Sequence, residues 1–581
     1  MKSFILLLLA SFCCAAFIHL KTTNSLIRIK ATNQSLQKAP VKTVVGCSPN
    51  LAAINFSDSA NLIPLLKGWG NHRMPITVQN DSASIYFQQG INMYYGFHII
   101  ESLSSFEKTI SFDSSFAMGY WGKALAYGPN INDLGYTASP EALLAVQKAK
   151  ALCTNCTPVE KALIAAMDVR YSADPAQTRE QLNQAYADAM KQTYSTYSTN
   201  SDVAALYADA LMVQHPWNLY DRNYDPKPWT PQIVQVLEKI IKQFPDHPGA
   251  SHYYIHAVEG SKQPEKALAV ADRLGGMMPG LAHLVHMPSH IYIRSGYYNK
   301  GVEVNDAAIN GYYNYLSHYP ATVNSSFLYL MHNRHMQAAC ASMDGQYATA
   351  MKYAKLTKES VDSGFLNSGG YFGMYGQYMY STPLITQIRF GKWDDILKAP
   401  AVPDAWAYAS SMQHFAKGLA YARRKQFDQA YAERLKMMDS IQSALLQEHP
   451  KAFNAGKEAI QVAEKVLQGV MAEERGMLTQ SISFLKEAVQ EEEGMLYNEP
   501  KDWQLPVRHY LGRVLLKAKL YAEAEKVYKE DLKINPNNAW ALTGLKEAFE
   551  KQGKRQEALA EEKKAIKALE RSDIKMTASA F

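Results

Sequence analysis

Apolar residues recur along most of the chain at the spacing of amphipathic helices. In residues 524–532, for example, the apolar positions fall at i, i+3, i+4 and i+8, on one helical face. Turn signals such as Asn535-Pro536-Asn537 separate these stretches, and strand-like alternation is absent over any useful length. The pattern predicts a series of short helices joined by tight turns.

The helical stretches also repeat. Tyr86 is followed by Tyr120, and Leu511 by Leu545, at a spacing of 34 residues. A glycine followed twelve residues later by a small residue occurs at three further places: Gly90/Ser102, Gly418/Ala430 and Gly469/Ser481. One helical hairpin cannot cover its own apolar face, so neighbouring hairpins must stack. We therefore predict an all-α superhelical solenoid.

This pattern resembles the tetratricopeptide repeat, most clearly in residues 505–570 and recurrently from residue 83. Three stretches also resemble a family of exported bacterial tetratricopeptide proteins of unestablished activity. They are FAMGYWGKALAYGPN (116–130), HPGASHYYIHAVE (247–259) and HLVHMPSHIY (283–292). The resemblance implies an α-α superhelix, but this fold serves many partners and fixes no chemistry.

The N-terminus has the pattern of a secretory signal peptide. A short basic start precedes an apolar run from Phe4 to Ile18 that is broken only by Ser11. We assign residues 1–18 to the signal and predict a periplasmic or secreted protein. An uncleaved membrane anchor and a lipid anchor through Cys13 or Cys14 are the alternatives.

Beyond the signal we predict an extended linker (19–80), two blocks of repeats (81–395 and 396–575) and a short tail (576–581). The later sequence has no apolar run near the ~20 residues that cross a bilayer, so we expect no membrane span after signal removal. Apolar residues make up 47% of the 581 residues and charged residues 20%, which is typical of a globular chain. The formal net charge is only +6, and the sequence lacks the dense basic stripe that is typical of a nucleic-acid-binding protein.

Cys153 and Cys156 form the one CxxC pair of the sequence. An exported protein meets oxidising conditions, so we predict a local structural disulfide. A redox-active pair would open a helix after a strand, and no strand pattern precedes it. Thr157-Pro158-Val159-Glu160 then predicts a capping box at the start of the next helix.

Histidines cluster in the middle of the chain: nine of the sixteen lie between His247 and His335. Their spacings of three and four residues place them on helical faces. His252 and His286 are 34 residues apart, as are His256 and His290, so the two pairs should stack as a two-by-two array. The candidate ligands are His252, His256, Glu259, His283, His286, His290, His332 and His335.

The resemblance to the tetratricopeptide repeat implies where these residues point. His252, His256 and Glu259 fall at the fifth, ninth and twelfth positions of a first helix, and the later histidines fall at the second, fifth and ninth. Those positions line the concave groove of such repeats. The implication is a groove wall of up to seven imidazoles and one carboxylate.

Neutral imidazole is the commonest protein ligand of Zn, Cu, Fe and Ni, and Glu259 could bind the metal or orient a ring. Two alternatives stay open. The histidines could be buried residues hydrogen-bonded to tyrosines, or they could serve catalysis or bind an anion. Pro288 lies between His286 and His290 and should bend or break that helix.

Several other features are weaker. Residues 215–229 form an aromatic, proline-rich loop that could close the groove as a lid or merely cover the core. Residues 310–324 are a tyrosine-rich insertion, and Gly369–Gly376 reads as a glycine-rich loop. Five histidines without matching partners are left as surface or core residues: His98, His318, His414, His449 and His509.

Catalytic motifs are absent: the sequence contains no HExxH, GxSxG, P-loop, dinucleotide-binding GxGxxG or haem-binding CxxCH. We therefore expect a binding or scaffold protein rather than an enzyme. Its groove would hold a protein, peptide or small ligand, with a transition metal involved. A metal-dependent enzyme built on the same histidines, and a pure protein–protein scaffold, are the alternatives.

Overall fold

Helices account for nearly all the regular structure of the chain. The computed structural model describes residues 63–65, 67–133, 136–318 and 327–581, and within them the only strand-like pairing is an isolated bridge between Tyr220 and Pro226. The all-α prediction is confirmed. The predicted signal peptide lies outside the described residues. No helix of the described part is long and apolar enough to cross a membrane.

The first half of the described chain contains thirteen α-helices. They are α1 (Asp81–Tyr95), α2 (Ile99–Phe112), α3 (Ala117–Ala126), α4 (Pro140–Leu152), α5 (Pro158–Asp168), α6 (Arg179–Thr196), α7 (Ser201–Gln214), α8 (Thr230–Gln243), α9 (Pro248–Glu259), α10 (Leu268–Met277), α11 (Ala282–His286), α12 (Pro288–Ser295) and α13 (Tyr298–His318).

The second half continues the same pattern. Its helices are α14 (Phe327–Met343), α15 (Tyr347–Glu359), α16 (Ser363–Leu366), α17 (Gly370–Tyr380), α18 (Thr382–Arg389), α19 (Trp393–Lys398), α20 (Ala407–Arg423), α21 (Phe427–Asp439), α22 (Ala444–Gln447), α23 (Gly456–Glu474), α24 (Leu478–Glu493), α25 (Val507–Lys517), α26 (Tyr521–Ile534), α27 (Ala539–Lys551) and α28 (Arg555–Ala568).

Consecutive helices pack as antiparallel hairpins, and the glycine-to-small spacing marks their contact. The Ser102 hydroxyl donates to the Gly90 carbonyl at 2.8 Å, and the Ser481 hydroxyl to the Gly469 carbonyl at 2.7 Å. A Cβ atom on Gly90 would lie 2.8 Å from the Phe106 ring, so only glycine allows this approach. Stacked hairpins of this kind form a tetratricopeptide-type superhelical solenoid.

The turn within a hairpin reuses one backbone geometry. A residue with positive φ lies one or two positions after the end of the first helix, and the second helix begins two positions after that residue. Five of these turns carry glycine, and three carry a residue with a side chain: Gly296, Gly345, Gly391, Gly476, Gly553, Lys425, Lys519 and Phe97. Phe97, at φ +56°, is the bulkiest of them, in a conformation that aromatic residues rarely adopt.

The C-terminal repeats come back against the N-terminal ones. The non-helical residues 494–506, here called the covering segment, join α24 to α25. Tyr497 of this segment donates to Glu259, and Gln504 lies 2.8 Å from His335. Further along, Trp540 Nε1 donates to the Ser342 carbonyl at 3.3 Å. The inner surface of the superhelix is therefore filled by the chain itself beside the histidines.

The predicted helix cap and helix break are both found, whereas one predicted loop is a helix. Thr157 and Glu160 form the predicted capping box, with the Glu160 N–H donating to the Thr157 hydroxyl at 3.2 Å and the Thr157 N–H donating to Glu160 Oε2 at 2.7 Å. The helix breaks at Met287, immediately before Pro288, as predicted. The loop predicted at 369–376 is wrong, because the aromatic and methionine residues between the glycines form a buried face of α17.

The predicted Cys153–Cys156 disulfide is absent. Both residues are free thiols at a short 3-10 turn, Cys153–Asn155, that follows α4. Burial and the neighbouring Cys153 raise the pKa of the Cys156 thiol to about 12, which disfavours the thiolate that would start oxidation. The tyrosine-rich insertion begins as the C-terminal part of α13, which runs to His318.

Candidate metal centre

The eight candidate ligands lie on four helices and are all buried. α9 carries His252, His256 and Glu259, and the remaining histidines lie on α11, α12 and α14. None of the eight is more than 4% exposed. These side chains are not exposed in a groove, because the covering segment and the aromatic loop at 215–229 close over them.

Six of the histidines converge into two groups of three. His252, His256 and His283, here called the first triad, offer ligand nitrogens that all lie within 4.8 Å of one another. The Nε2 atoms of His252 and His283 are 3.2 Å apart. Three imidazole nitrogens this close match the donor set of a transition-metal site.

The second triad consists of His286, His290 and His332, and its ligand nitrogens satisfy the same 4.8 Å limit. The Nε2 atoms of His286 and His290 are 2.7 Å apart. The His332 ring lies edge-on to His286, with centroids separated by 4.8 Å. The chain thus holds two sets of three imidazoles.

Both triads follow one rule of sequence. Each takes an HxxxH pair from one hairpin and the first histidine of the next: His252/His256 with His283, and His286/His290 with His332. The predicted two-by-two array is found only in part. His256 does lie beside His290, with centroids 5.9 Å apart, but His252 pairs with His283. The helix break at Met287 separates α11, which carries His283, from α12, which carries His290.

Oxygen atoms fix the outer nitrogen of two rings. His252 Nδ1 donates to the Tyr95 carbonyl at 2.7 Å, and His286 Nδ1 donates to Asn305 Oδ1 at 2.6 Å. The Asn305 amide is itself oriented, because its Nδ2 donates to the Gly301 carbonyl at 2.8 Å. With the proton on Nδ1, the Nε2 lone pair of each ring points inward, as in metal-binding histidines.

Glu259 fixes two more rings, one from each triad. Its Oε1 accepts from His256 Nδ1 at 2.8 Å, and its Oε2 accepts from His290 Nδ1 at 2.7 Å. The Tyr497 hydroxyl donates to the same Oε2 at 2.9 Å. Both carboxylate oxygens are therefore used on the outer edges of the rings. Of the two roles considered for Glu259, the geometry favours the orienting one.

Burial keeps most of these rings neutral. It lowers the pKa of His252, His283, His286 and His332 well below its usual value, and neighbouring imidazoles lower it further. His290 differs: burial would lower its pKa, but the carboxyl groups of Glu499 and Glu259 outweigh burial and raise it to about 10. Neutral imidazole is the form that binds metals.

His335 stays outside both triads. Its Nε2 faces Gln504 of the covering segment at 2.8 Å, and its ring lies edge-on to Tyr378 with centroids 5.0 Å apart. Burial lowers its pKa to about 3. The prediction grouped His335 with the ligands because of its spacing from His332, but three residues along α14 direct it to a different neighbour.

Several residues that shape the centre were not among the sequence-based candidates. The Phe97 ring lies against every ring of the first triad, with centroids 4.4 Å from His252 and 6.0 Å from both His256 and His283. Asn305 and Glu499 lie far from their partners in the chain. The one available signal was Phe97 at a turn position that carries glycine in five other hairpins.

His72, Asp202 and His247 form a further group of possible ligands. It differs from the triads because the Nδ1 atom of His247 accepts a hydrogen bond instead of donating one. His247 Nδ1 accepts the Ala250 N–H at 3.2 Å as the N-cap of α9, so the ring proton is on Nε2 and faces Asp202. Asp202 also accepts from His72 at 2.7 Å and from the Tyr95 hydroxyl at 2.8 Å. This group is a hydrogen-bonded tie between elements.

The aromatic loop lies beside the first triad. Trp217 is edge-on to His256 with centroids 5.4 Å apart, and the Tyr220 hydroxyl donates to the Ala257 carbonyl at 2.7 Å. A small cavity of about 30 Å³ lies between this loop and the covering segment. His256 and Glu259 line it together with Trp217, Tyr220 and Tyr497.

Of the five histidines expected to be surface or core residues, four have side chains that the structure describes. The side chain of His318 lies outside the described residues. Three others are buried or part-buried beside acids, and one is exposed: His98–Glu101, His414–Glu433, His509–Asp531 and His449.

No protein-family model matches the sequence, and no curated protein matches it. Among solved structures, the chain is similar to human IFIT1 with m7Gppp-AAAA (TM-score 0.30, 13% identity, 85% of this chain and 91% of that one). It is also similar to yeast Tom70 (TM-score 0.31, 11% identity, 85% and 91%). Likeness at this level carries no information on ligand or activity.

Proposed function

We propose that this protein binds two transition-metal ions, one in each histidine triad, within an exported helical-repeat scaffold. The observation that carries the proposal is the common orientation of four anchored rings. His252, His256, His286 and His290 each direct Nδ1 to an oxygen and Nε2 to the centre of a triad. Such anchoring is typical of metal ligands.

Hydrogen-bonded packing, the main alternative, explains the triads less well. His256 Nε2 and His283 Nδ1 are buried without a hydrogen-bond partner among the residues that the structure describes. Each unpaired buried polar atom costs ~1–3 kcal/mol. The two facing Nε2 pairs can each share only one proton, and a metal ion would replace it. Tyrosine hydroxyls, which this alternative invoked, contact the anchoring groups instead: Tyr497 donates to Glu259.

Peptide binding at the histidines is also disfavoured. Tyr497, Glu499 and Gln504 of the covering segment contact Glu259, His290 and His335 in turn. A peptide in that part of the inner surface would have to displace them. The cavity beside His256 has room for a small ligand only, so we expect metals and small molecules there and protein partners elsewhere.

Metal analysis of the purified full-length chain tests the proposal. After reconstitution with Zn, Cu, Fe or Ni, we expect two ions per chain for at least one metal. His252→Ala and His286→Ala should each lose one ion. His335→Gln, which removes a buried histidine outside the triads, should keep both. Freshly isolated and reconstituted protein that both hold less than one ion per chain would refute the proposal.

A further inference from the structure

Each triad offers a donor set with a narrow chemical preference. Three imidazoles converge in each, and the acids beside them, Glu259 and Glu499, contact outer Nδ1 atoms of the rings. Hard cations such as Mg²⁺ and Ca²⁺ prefer oxygen ligands, whereas imidazole suits copper and zinc. Among divalent first-row metals, copper binds such sites most tightly.

The two triads are neighbours. The rings of His256 and His290 have centroids 5.9 Å apart, and those of His283 and His286 are 6.1 Å apart. Each of these pairs joins one triad to the other. Glu259 ties them further, since one carboxylate anchors a ring of each. Two metal ions held here would lie side by side within one buried compartment.

Three protein ligands leave a coordination position for an outside molecule. The cavity between the aromatic loop and the covering segment reaches the first triad at His256. Its charged lining residues are the acids Asp221 and Glu259, so an anion is not favoured there. Phe97 adds an apolar ring against all three imidazoles of the triad. A small uncharged molecule fits these surroundings.

We infer that the two triads hold a pair of copper ions that takes up dioxygen between them. This inference rests on the proposed metal-binding function and adds the metal and its ligand. In the binding step each of two Cu(I) ions gives one electron to O₂. The dioxygen is reduced to peroxide, its O–O bond order falls from two to one, and both ions become Cu(II). No proton or further reductant is needed.

The test uses the full chain loaded with Cu(I) under anaerobic conditions and then exposed to O₂. We expect two copper ions per chain and about one O₂ consumed for every two copper ions, as two-metal chemistry requires. A new near-ultraviolet absorption should accompany uptake, and the Cu(II) electron paramagnetic resonance signal should be largely lost because the two spins couple.

Variants separate this inference from simple metal binding. His332→Ala should retain copper in the first triad but lose O₂ uptake, whereas His335→Gln should keep two ions and full uptake. Ala452→Trp, which narrows the cavity, should slow uptake without loss of copper, and an unchanged rate would exclude the cavity as the route. Two bound copper ions that give the full signal of isolated Cu(II) would overturn the copper pair and leave the proposed function standing. Failure to bind any metal would overturn both.

Discussion

Asn305 holds the ring of His286 from a different helix. The hydrogen bond between Asn305 Oδ1 and His286 Nδ1 is 2.6 Å long, and the Gly301 carbonyl fixes the amide that makes it. A ligand ring fixed in this way enters the metal site with its lone pair already aimed. The orientation of a ring in the second triad therefore depends on a residue that is not itself a member of the triad.

Asn305→Ala should weaken metal binding at the second triad by about 10–100-fold and leave the first triad unchanged. Competition with a chelator of known affinity measures both sites. Asn310→Ala, an exposed change on the same helix, is the matched control and should alter neither. Equal weakening of both sites would contradict a local orienting role.

Glu259→Gln should weaken both sites together, because one carboxylate anchors His256 and His290. A glutamine side chain has only one acceptor oxygen and no charge, so one ring loses its acceptor and the hydrogen bond to the other ring loses the negative charge that strengthens it. We expect a loss of about 10–100-fold in affinity at each site. Glu265→Gln, an exposed change just beyond α9, is the control. Loss at a single site would mean that Glu259 serves only one triad.

Proton release on metal binding should differ between the triads. Because Glu259 and Glu499 raise the pKa of His290 to about 10, that ring is protonated at pH 8 before metal binds. Filling the second triad should then release about one proton, and its affinity should rise with pH up to about 10. The lowered pKa values of the first triad predict almost none. Calorimetry in two buffers of different ionisation enthalpy measures the difference.

The metal-free chain should be unstable in mild acid. His252, His283, His286 and His332 have pKa values well below the ordinary ~6.5, so the unfolded state binds more protons than the folded state under acid conditions. Stability should be full above ~6.5 and fall below it, by up to ~1.4 kcal/mol per pH unit for each ring.

Urea unfolding at pH 7.5 and 5.5 measures this loss. His332→Gln removes one of the four rings, so its stability should depend less steeply on pH. The same slope in both proteins would show that other groups control acid unfolding. His290 works in the opposite direction, since its raised pKa stabilises the fold below ~6.5 and that contribution is lost as the pH rises through about 10.

Phe97 and Lys425 occupy equivalent turn positions with positive φ but should respond differently to glycine. Lys425→Gly relieves a left-handed residue on the surface and should change the free energy of unfolding by less than ~1 kcal/mol in the favourable direction. Phe97→Gly removes a buried ring and should cost ~3–5 kcal/mol, reduced by the same relief. Denaturant titration of both variants compares them. A stabilised Phe97→Gly would mean that the ring contributes little packing.

Repetition is what made the centre visible in the sequence. The 34-residue spacing of His256 and His290 predicted neighbouring rings, and they are neighbours. Pro288 predicted the break at Met287, because proline removes a helical hydrogen bond. Local spacing and backbone chemistry act over one or two hairpins, so they can be read from the sequence.

The burial of the histidines could not be predicted from the sequence in the same way. Glu499 and Gln504 reach His290 and His335 across more than a hundred residues of intervening sequence, and no local pattern marks that return. The contact of His283 with His252 of the preceding hairpin depends on how the helices pack around α11, which the presence of proline alone does not determine. The spacing in the sequence predicted which histidines lie near each other, whereas tertiary packing determines which groups each of them contacts.

The covering segment lies far downstream of the imidazoles that it buries. A ribosome therefore makes all six rings of the triads before it makes the residues that seal them. Until those residues are made, the histidines cannot be sealed from solvent. If the triads bind metal as proposed, the ions would have to enter before the covering segment closes over them, so the compartment in which the chain closes would determine which ion is bound.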